Sequence, residues 1–260
     1  MNEMTADPRW TVVTGASSGI GAAMARVFAA RSRSLVLVAR RGDRLAALAG
    51  EIARPGARVE TVILDLEEPD AADRLFATLG ERGVTVDTLV NNAGFGLRGR
   101  FATLPADEQA AMVQLNVCTL TRLCRLALPG LLERRRGGII NVASTAAFQA
   151  VPFLGVYAAT KAYVLSLSEA LHEEARGRGV TVTALCPGPT ATEFTTRADM
   201  EQSKMFERAM DADTVARLGI DGYEAGRAIV VTGAANRFGA AAVRLAPRAA
   251  VRRLAGWLQG

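Results

Sequence analysis

Thr14-Gly15-Ala16-Ser17-Ser18-Gly19-Ile20-Gly21 joins a short β-branched run, Trp10–Thr14, to a segment, Gly19–Ala30, in which Ile20, Met24, Val27 and Phe28 recur at helical spacing. Glycines at such a junction let the chain turn sharply. They also let a phosphate approach the free N–H groups and the positive dipole end of the helix. A glycine pattern alone says little; the strand before it and the helix after it give it meaning. The stretch reads as the pyrophosphate turn of a dinucleotide-binding fold, with Gly15, Ser17, Ser18, Gly19, Ile20 and Gly21 around the ligand.

Outward from this turn the rhythm repeats. Strand-like runs at 35–39, 59–64, 88–91, 138–143, 180–186 and 228–232 alternate with helical stretches at 44–53, about 69–79, 106–117, 120–134 and 157–176. The strands are continuously apolar, which implies burial on both faces. Strand–helix alternation with short connections predicts right-handed βαβ units and an α/β fold with a doubly wound parallel sheet. The 260 residues suit a single domain, with no linker in view. Residues 187–225 break the rhythm. They are long, polar in places and rich in methionine, so they predict a lid-like insertion near the carboxyl ends of the strands. Val230-Val231-Thr232-Gly233-Ala234 echoes Val12-Val13-Thr14-Gly15-Ala16, but the glycines that follow fall at different spacings, and the echo reads as two similar strand ends.

About twenty residues beyond the turn, folds that bind NAD carry an acid for the ribose 2′-hydroxyl. Here the residues are Ala39-Arg40-Arg41. A carboxylate would repel a 2′-phosphate, whereas a guanidinium pairs with it through charge-assisted hydrogen bonds. Arg40 and Arg41 therefore predict NADP(H) over NAD(H).

Tyr157 and Lys161 stand four apart at the start of a predicted helix, so their side chains share one face, one turn apart. A free tyrosine titrates near ~10, and a neighbouring ammonium favours the phenolate and lowers that value. A lowered value suits proton exchange with an alcohol or carbonyl near neutral pH. Of the three tyrosines, neither Tyr163 nor Tyr223 has a lysine at that spacing.

The net charge of +5 is carried almost wholly by arginine, since the lysines are Lys161 and Lys204 alone. The arginines are scattered among acids, and no long basic run exceeds 134–136. This fits a solvated surface plus an anionic small-molecule site, and no nucleic-acid partner is expected. With one histidine, His172, and with Cys118, Cys124 and Cys186 at unpaired spacings, the sequence offers no credible metal site and no Ser–His or Cys–His nucleophile. The cysteines read as three reduced core thiols of a cytosolic protein. Residues 1–8 are short and polar and carry no signal-peptide pattern. The longest uncharged stretch, 137–160, contains Asn141, Ser144, Thr145, Gln149 and Pro152, and reads as strand, loop and helix start rather than a span. A cytoplasmic location without stable membrane insertion is expected.

In order along the chain, Thr14–Gly21, Asn91-Asn92-Ala93-Gly94, Asn116, Ser144, Tyr157 with Lys161, and Pro187-Gly188 resemble the short-chain dehydrogenase/reductase family, in its single-domain branch, over roughly residues 9–233. The resemblance implies a Rossmann fold, a nicotinamide cofactor and a catalytic set of Asn116, Ser144, Tyr157 and Lys161. Tyr157 would exchange the proton, and Lys161 would tune it and hold the nicotinamide ribose. Ser144 would bind the substrate oxygen, and Asn116 would help hold a water linking Lys161 to solvent. Asp65 and Leu66 would meet the adenine, Asn92, Ala93 and Gly94 would border the cofactor, and Pro187, Gly188, Thr190 and Thr192 would cover the nicotinamide. Thr190 departs from the Ile or Val frequent in the family.

The implied activity is hydride transfer between NADPH and a ketone or aldehyde, or the corresponding alcohol. Substrate walls are expected from 95–97, 146–154 and 193–210, a mostly apolar set including Phe95, Leu97, Phe148, Val151, Phe153, Leu154, Phe194, Met200, Met205 and Phe206. Arg98, Arg100 and Arg197 are candidate anchors for a carboxylate. The resemblance also implies a homodimer or homotetramer built on helices around 106–134 and 157–176. The basic tail, 246–258, is expected to pack on the body or on a partner subunit, with a membrane surface as the alternative. Two rival functions keep the same fold: an NAD(P)-dependent epimerase-type enzyme, which would normally need a larger C-terminal domain, and a non-catalytic nucleotide-binding regulator, against which the intact Asn116–Ser144–Tyr157–Lys161 set argues.

Overall fold

The computed structural model describes residues 9–193 and 209–259. Seven strands, β1 (Trp10–Thr14), β2 (Ser34–Ala39), β3 (Val59–Ile63), β4 (Val86–Asn91), β5 (Gly138–Val142), β6 (Thr181–Cys186) and β9 (Ile229–Val231), form one parallel sheet in the order β3-β2-β1-β4-β5-β6-β9. β1 pairs with both β2 and β4, so the direction of winding reverses there, and a crevice opens at the carboxyl ends of the strands beside that point.

Alternate residues of each strand feed two cores. Val12 joins Leu75, Leu79, Leu123, Leu131 and Val164 on one face; Val13 joins Met24, Phe28, Leu45, Val215 and Ile220 on the other. The first face is covered by α3 (Ala71–Glu81), α5 (Leu120–Arg134) and α6 (Gly155–Glu174), and the second by α1 (Gly19–Ala30), α2 (Gly42–Ile52) and α7 (Ala212–Glu224). Each of these fully buried side chains contributes about 1.5–3 kcal/mol of transfer free energy. β3 corrects the expectation of burial on both faces. It is the sheet edge, carries Glu60, and leaves Ile63 exposed.

Three further expectations change. The stretch 106–134 is one continuous run, α4 (Ala106–Val113) passing through a π-helical turn, Gln114–Thr119, into α5. By length and composition it could cross a membrane, but Met112, Leu115, Leu120, Leu123 and Leu131 are buried in the core. The lid-like insertion does not extend to 225. Residues 212–224 form the regular helix α7, which buries Val215, Ala216, Ile220 and Tyr223 beside α1, and β7 (Thr190–Ala191) pairs with β8 (Met210–Asp211) just before it. Phe194, Arg197, Met200, Met205 and Phe206 lie outside the described residues. Cys118 is exposed rather than in the core; Cys124 and Cys186 are buried, and all three are free. Beyond β9, α8 (Ala234–Leu245) and α9 (Arg248–Gln259) lie at the periphery.

Candidate active site

A cleft of about 800 Å³ opens over the carboxyl ends of the central strands. The turn between β1 and α1 forms one side of it, and hydrogen bonds lock this turn to the end of β4. Thr14 Oγ1 donates to the Val90 carbonyl (3.1 Å) and accepts from the Asn92 and Ala93 amides (3.0 Å each). Asn92 Nδ2 donates to the Thr14 and Gly15 carbonyls at 2.9 and 3.2 Å. The turn glycines answer to this tight packing. A Cβ on Gly15, whose φ is +63°, would lie 2.8 Å from Asn92 Nδ2, and one on Gly21 would lie 2.4 Å from the Gly15 carbonyl oxygen. Ser18, the residue before α1, is extended and caps nothing with its side chain, so the first amides of α1 have no side-chain partner at the edge of the cleft. Such an end suits a pyrophosphate.

Arginines stand on the rim. Arg41 donates to Ser17 Oγ (3.0 and 3.2 Å), Ser18 Oγ (2.8 Å) and Glu193 (2.8 Å); Arg44 also pairs with Glu193. Arg40 pairs with Glu67 at 3.0 Å and with Asp65 at 3.5 Å. The two guanidinium groups pull the Glu193 carboxyl down to about 2, chiefly through the hydrogen bonds from Arg44 and Arg41. Arg40 and Arg41, the apolar floor of Ala39, Leu64 and Leu66, and the open end of α1 are the features a phosphorylated dinucleotide requires, and in this the residues present fit the group.

The other predicted residues converge from three elements. β5 ends in Val142, and Ser144 then starts a 3₁₀ turn, Thr145–Phe148, its hydroxyl accepting from the Ala146 amide at 3.1 Å. Tyr157 and Lys161 come from the first turns of α6. Ser144 hydrogen-bonds the Tyr157 phenol, while Lys161 Nζ donates to the Val142 carbonyl (2.8 Å) and lies 5.8 Å from the centre of the Tyr157 ring. The expected lowering of the phenol by its neighbour is not what the geometry produces. Burial dominates both groups, pushing Tyr157 up to about 12 and Lys161 down to about 8.

Of the sequence-predicted set, all but two line the cleft: Gly21 and Asn116 stand behind its wall. Asn116 lies in the π-helical turn, is buried, and donates through Nδ2 to the Phe95 carbonyl (2.9 Å) and Thr160 Oγ1 (3.1 Å), while accepting the Phe95 amide at 3.1 Å. Gly94 is the point where Asn116 and Lys161 approach: a Cβ there would sit 2.8 Å from Asn116 Oδ1 and 3.6 Å from Lys161 Nζ. Asn91 turns into the core and donates to Asn141 Oδ1 at 2.9 Å. Thr190 spends its hydroxyl on the Gly188 carbonyl (2.9 Å), and a Cβ on Gly19 would lie 3.1 Å from Thr192 Cβ. Among the expected substrate walls, Phe95, Ala146, Val151 and Leu154 line the cleft, whereas Leu97 and Phe148 pack on the main core.

Sequence reasoning passed over several residues, among them Glu67, Thr160, Arg44 and Ala255; Glu67 lines the cleft and pairs with Arg40. Thr160 bridges Asn116 and the Tyr157 carbonyl (2.7 Å), and its position inside Tyr157-x-x-x-Lys161 was the available signal. Arg44, in the first turn of α2, joins Arg41 on Glu193, and its place three residues after Arg41 was the available signal. Ala255, on α9, reaches the cleft with no signal at all.

The family model for short chain dehydrogenases matches residues 9–203. The chain belongs to the short-chain dehydrogenase/reductase family. Its relatives include the very-long-chain 3-oxoacyl-CoA reductase of Anas platyrhynchos, 35% identical over 191 residues, which are 71% of this chain and 61% of that protein. The chain therefore spans less than two thirds of the curated relatives of that kind. Among solved structures, a short-chain dehydrogenase from Sphingobium yanoikuyae in complex with NADPH is 32% identical, with a TM-score of 0.82 over 91% of this chain and 93% of that one. A family member from Burkholderia phymatum in complex with NAD is 28% identical, with a TM-score of 0.80 over 94% of each chain. The doubly wound sheet is thus the Rossmann-type fold of this oxidoreductase family.

Proposed function

We propose that the protein is an NADP(H)-dependent carbonyl reductase acting on a mostly apolar ketone or aldehyde, or on the corresponding alcohol in reverse. One observation carries this reading: the Tyr157 phenol, hydrogen-bonded to Ser144, and the buried Lys161 ammonium share a cleft with the uncapped end of α1 and the Arg40–Arg41 rim. When bound, the nicotinamide supplies or accepts the hydride.

The chain's own work is proton handling and orientation. Burial keeps Tyr157 protonated at neutral pH, so in the reductive direction the phenol donates a hydrogen bond and then its proton to the substrate oxygen. Ser144 presents a second hydroxyl to the same oxygen. Lys161, charged below about pH 8, stabilises the phenolate left behind. Asn116, fixed by Phe95 and Thr160, meets Lys161 at Gly94, where the absence of a side chain leaves room for a proton relay to solvent.

Arg41 and Arg40 would hold the 2′-phosphate, at guanidinium groups that Glu193, Glu67 and Asp65 otherwise engage. The NADPH complex of the Sphingobium relative supports this choice, and the NAD complex of the Burkholderia relative makes it worth testing directly. The apolar wall of Val151, Leu154 and Ala255, together with relatives named 3-oxoacyl-CoA reductases, supports an apolar ketone. The described chain is read as one catalytic unit, working in the cytoplasm as a homodimer or homotetramer.

The test is NADPH oxidation against a panel of straight-chain and bulky ketones and aldehydes, with Tyr157→Phe as control. The variant is expected to retain NADPH binding and to lose about 10³-fold or more in kcat, within reach of a removed proton donor plus misplaced substrate oxygen. Full turnover by Tyr157→Phe would remove the mechanism; NADPH binding without turnover of any carbonyl would favour a regulator.

A further inference from the structure

We infer that α8 and α9 form a peripheral docking face for a membrane surface rich in anionic lipid. After Glu224 the sequence holds six arginines, at 227, 237, 244, 248, 252 and 253, and no lysine, aspartate or glutamate. Earlier in the chain a number of arginines pair with acids, as in Arg26–Glu51, Arg33–Asp87 and Arg122–Asp73. Among the described residues none of these six makes an ion pair.

Large apolar side chains share the same segment. Nine are exposed among the described residues, and four of them, Phe238, Leu245, Leu254 and Trp257, belong to these two helices; Leu245 is 90% and Trp257 76% exposed. Their spacing gives each helix an outward stripe. On α8, Ala234, Phe238, Ala241 and Leu245 follow one another at intervals of three or four, flanked by Arg237 and Arg244. α9 has two sides. Ala255 lines the cleft, and a Cβ on Gly256 would lie 3.3 Å from Pro152 Cγ, so this side meets the body. Leu254 and Trp257 lie away from it, beside Arg253.

Four large exposed apolar side chains on two consecutive helices are normally covered by something. A nucleic acid would meet the arginines but leave the aromatic and leucine side chains without partners. A second copy across a two-fold axis would set the six arginines against themselves. An anionic bilayer takes both halves of the face: guanidinium groups at the lipid phosphates, and Trp257, Phe238 and the leucines at the headgroup–acyl boundary. Because Ala255 links α9 to the cleft, docking here would bring the substrate wall close to the lipid. The inference stands apart from the reductase reading, and its test needs no turnover.

Full-length protein would be sedimented with vesicles of phosphatidylcholine alone and of phosphatidylcholine mixed with phosphatidylglycerol. Trp257 emission would be followed in parallel, since Trp10 is buried and contributes a constant background. About tenfold or more tighter binding to the mixed vesicles is expected, with a blue shift of Trp257 and loss of binding at high salt. The exposed pair Arg252→Glu and Arg253→Glu should abolish binding without changing the thermal transition, and Leu254→Ser should weaken it severalfold. Failure to bind either vesicle, equal binding to both, or unchanged binding by the charge-reversed variant would each overturn the inference. So would lipid-free, concentration-dependent self-association that by itself shifts Trp257, which would assign the face to a second copy.

Discussion

The wall of the cleft that holds the glycine turn and the wall that includes α9 differ in how their residues are fixed. On the first, hydrogen bonds tie the base of the turn to the end of β4: Thr14 Oγ1 serves three backbone groups and Asn92 Nδ2 two. Side chains are excluded where they would collide, as at Gly15 and Gly21. On the second, Val151 and Leu154 sit in turns, and Ala255 rides on a helix behind α8, which buries no residue fully. The difference separates two tasks. The part that meets an invariant ligand is over-determined by the sheet, while the part that meets a variable substrate hangs on peripheral elements that can change without disturbing the core.

Four perturbations sharpen or break that contrast. Gly21→Ala, on the rigid wall, has no room for its methyl and must push apart the turn and Asn92. It should cost about 1–3 kcal/mol in stability, as overpacked sites do, and lower NADPH affinity at least about a hundredfold, read by urea unfolding and by cofactor titration.

Lys161→Met tests whether the site is assembled against stability. The folded-state value of Lys161 lies below its unfolded value, from 10.5 to about 8, so the buried ammonium destabilises the fold at and below pH 8, and this penalty fades as the pH rises through 8 towards 10.5. At about 1.4 kcal/mol per pKa unit the variant should be more stable by up to about 3 kcal/mol at pH 7. That gain should shrink by pH 10, while activity is lost. A variant less stable at pH 7 would mean that the bond to Val142 outweighs desolvation.

Arg40→Ala with Arg41→Ala should raise KM for NADPH by about 10- to 100-fold, in line with losing one or two charged hydrogen bonds, and barely touch that for NADH. Equal effects on the two cofactors would refute the 2′-phosphate assignment. Ala255→Leu, on the soft wall, should have the smallest effect: a change of about two- to fivefold in KM for bulky ketones, with the dissociation constant for NADPH unmoved. This is below the factor of about ten or more for a methylene fully enclosed by a pocket, because residue 255 is only half-buried. A large loss of NADPH affinity would show that the two walls are not independent.

Much of this was legible along the chain because the governing interactions are local. The Trp10–Thr14 strand and the Gly19–Ala30 helix follow from β-branching and periodicity, and Tyr157 and Lys161 from a four-residue spacing on one helix. What escaped depends on distant partners. Helix α7 looked like part of a lid because its glycines and charges hide an apolar stripe that its packing on α1, β6 and β9 explains. The opposing acids of Arg40 and Arg41 come from 25 to 152 positions away, so the arginines seemed free when Glu67, Asp65 and Glu193 already held them. Desolvation of Tyr157 and Lys161 is a property of the closed cleft and has no local signature.

The π-helical turn at Gln114–Thr119 has a further consequence. A turn of this type accommodates one residue more than the α-helix on either side of it, so the stripes of α4 and α5 are out of phase by about 100° relative to an uninterrupted helix, the rotation per residue at 3.6 residues per turn. Removing that surplus residue would let the backbone relax into ordinary hydrogen bonding while Leu123, Cys124, Ala127 and Leu131 kept their place against the core. Asn116 lies inside the turn, held to Phe95 and Thr160, and its seat is what the deletion would disturb. The extra residue thus places a side chain of the site without changing how the flanking helices pack, and a single deletion there would cost activity before stability.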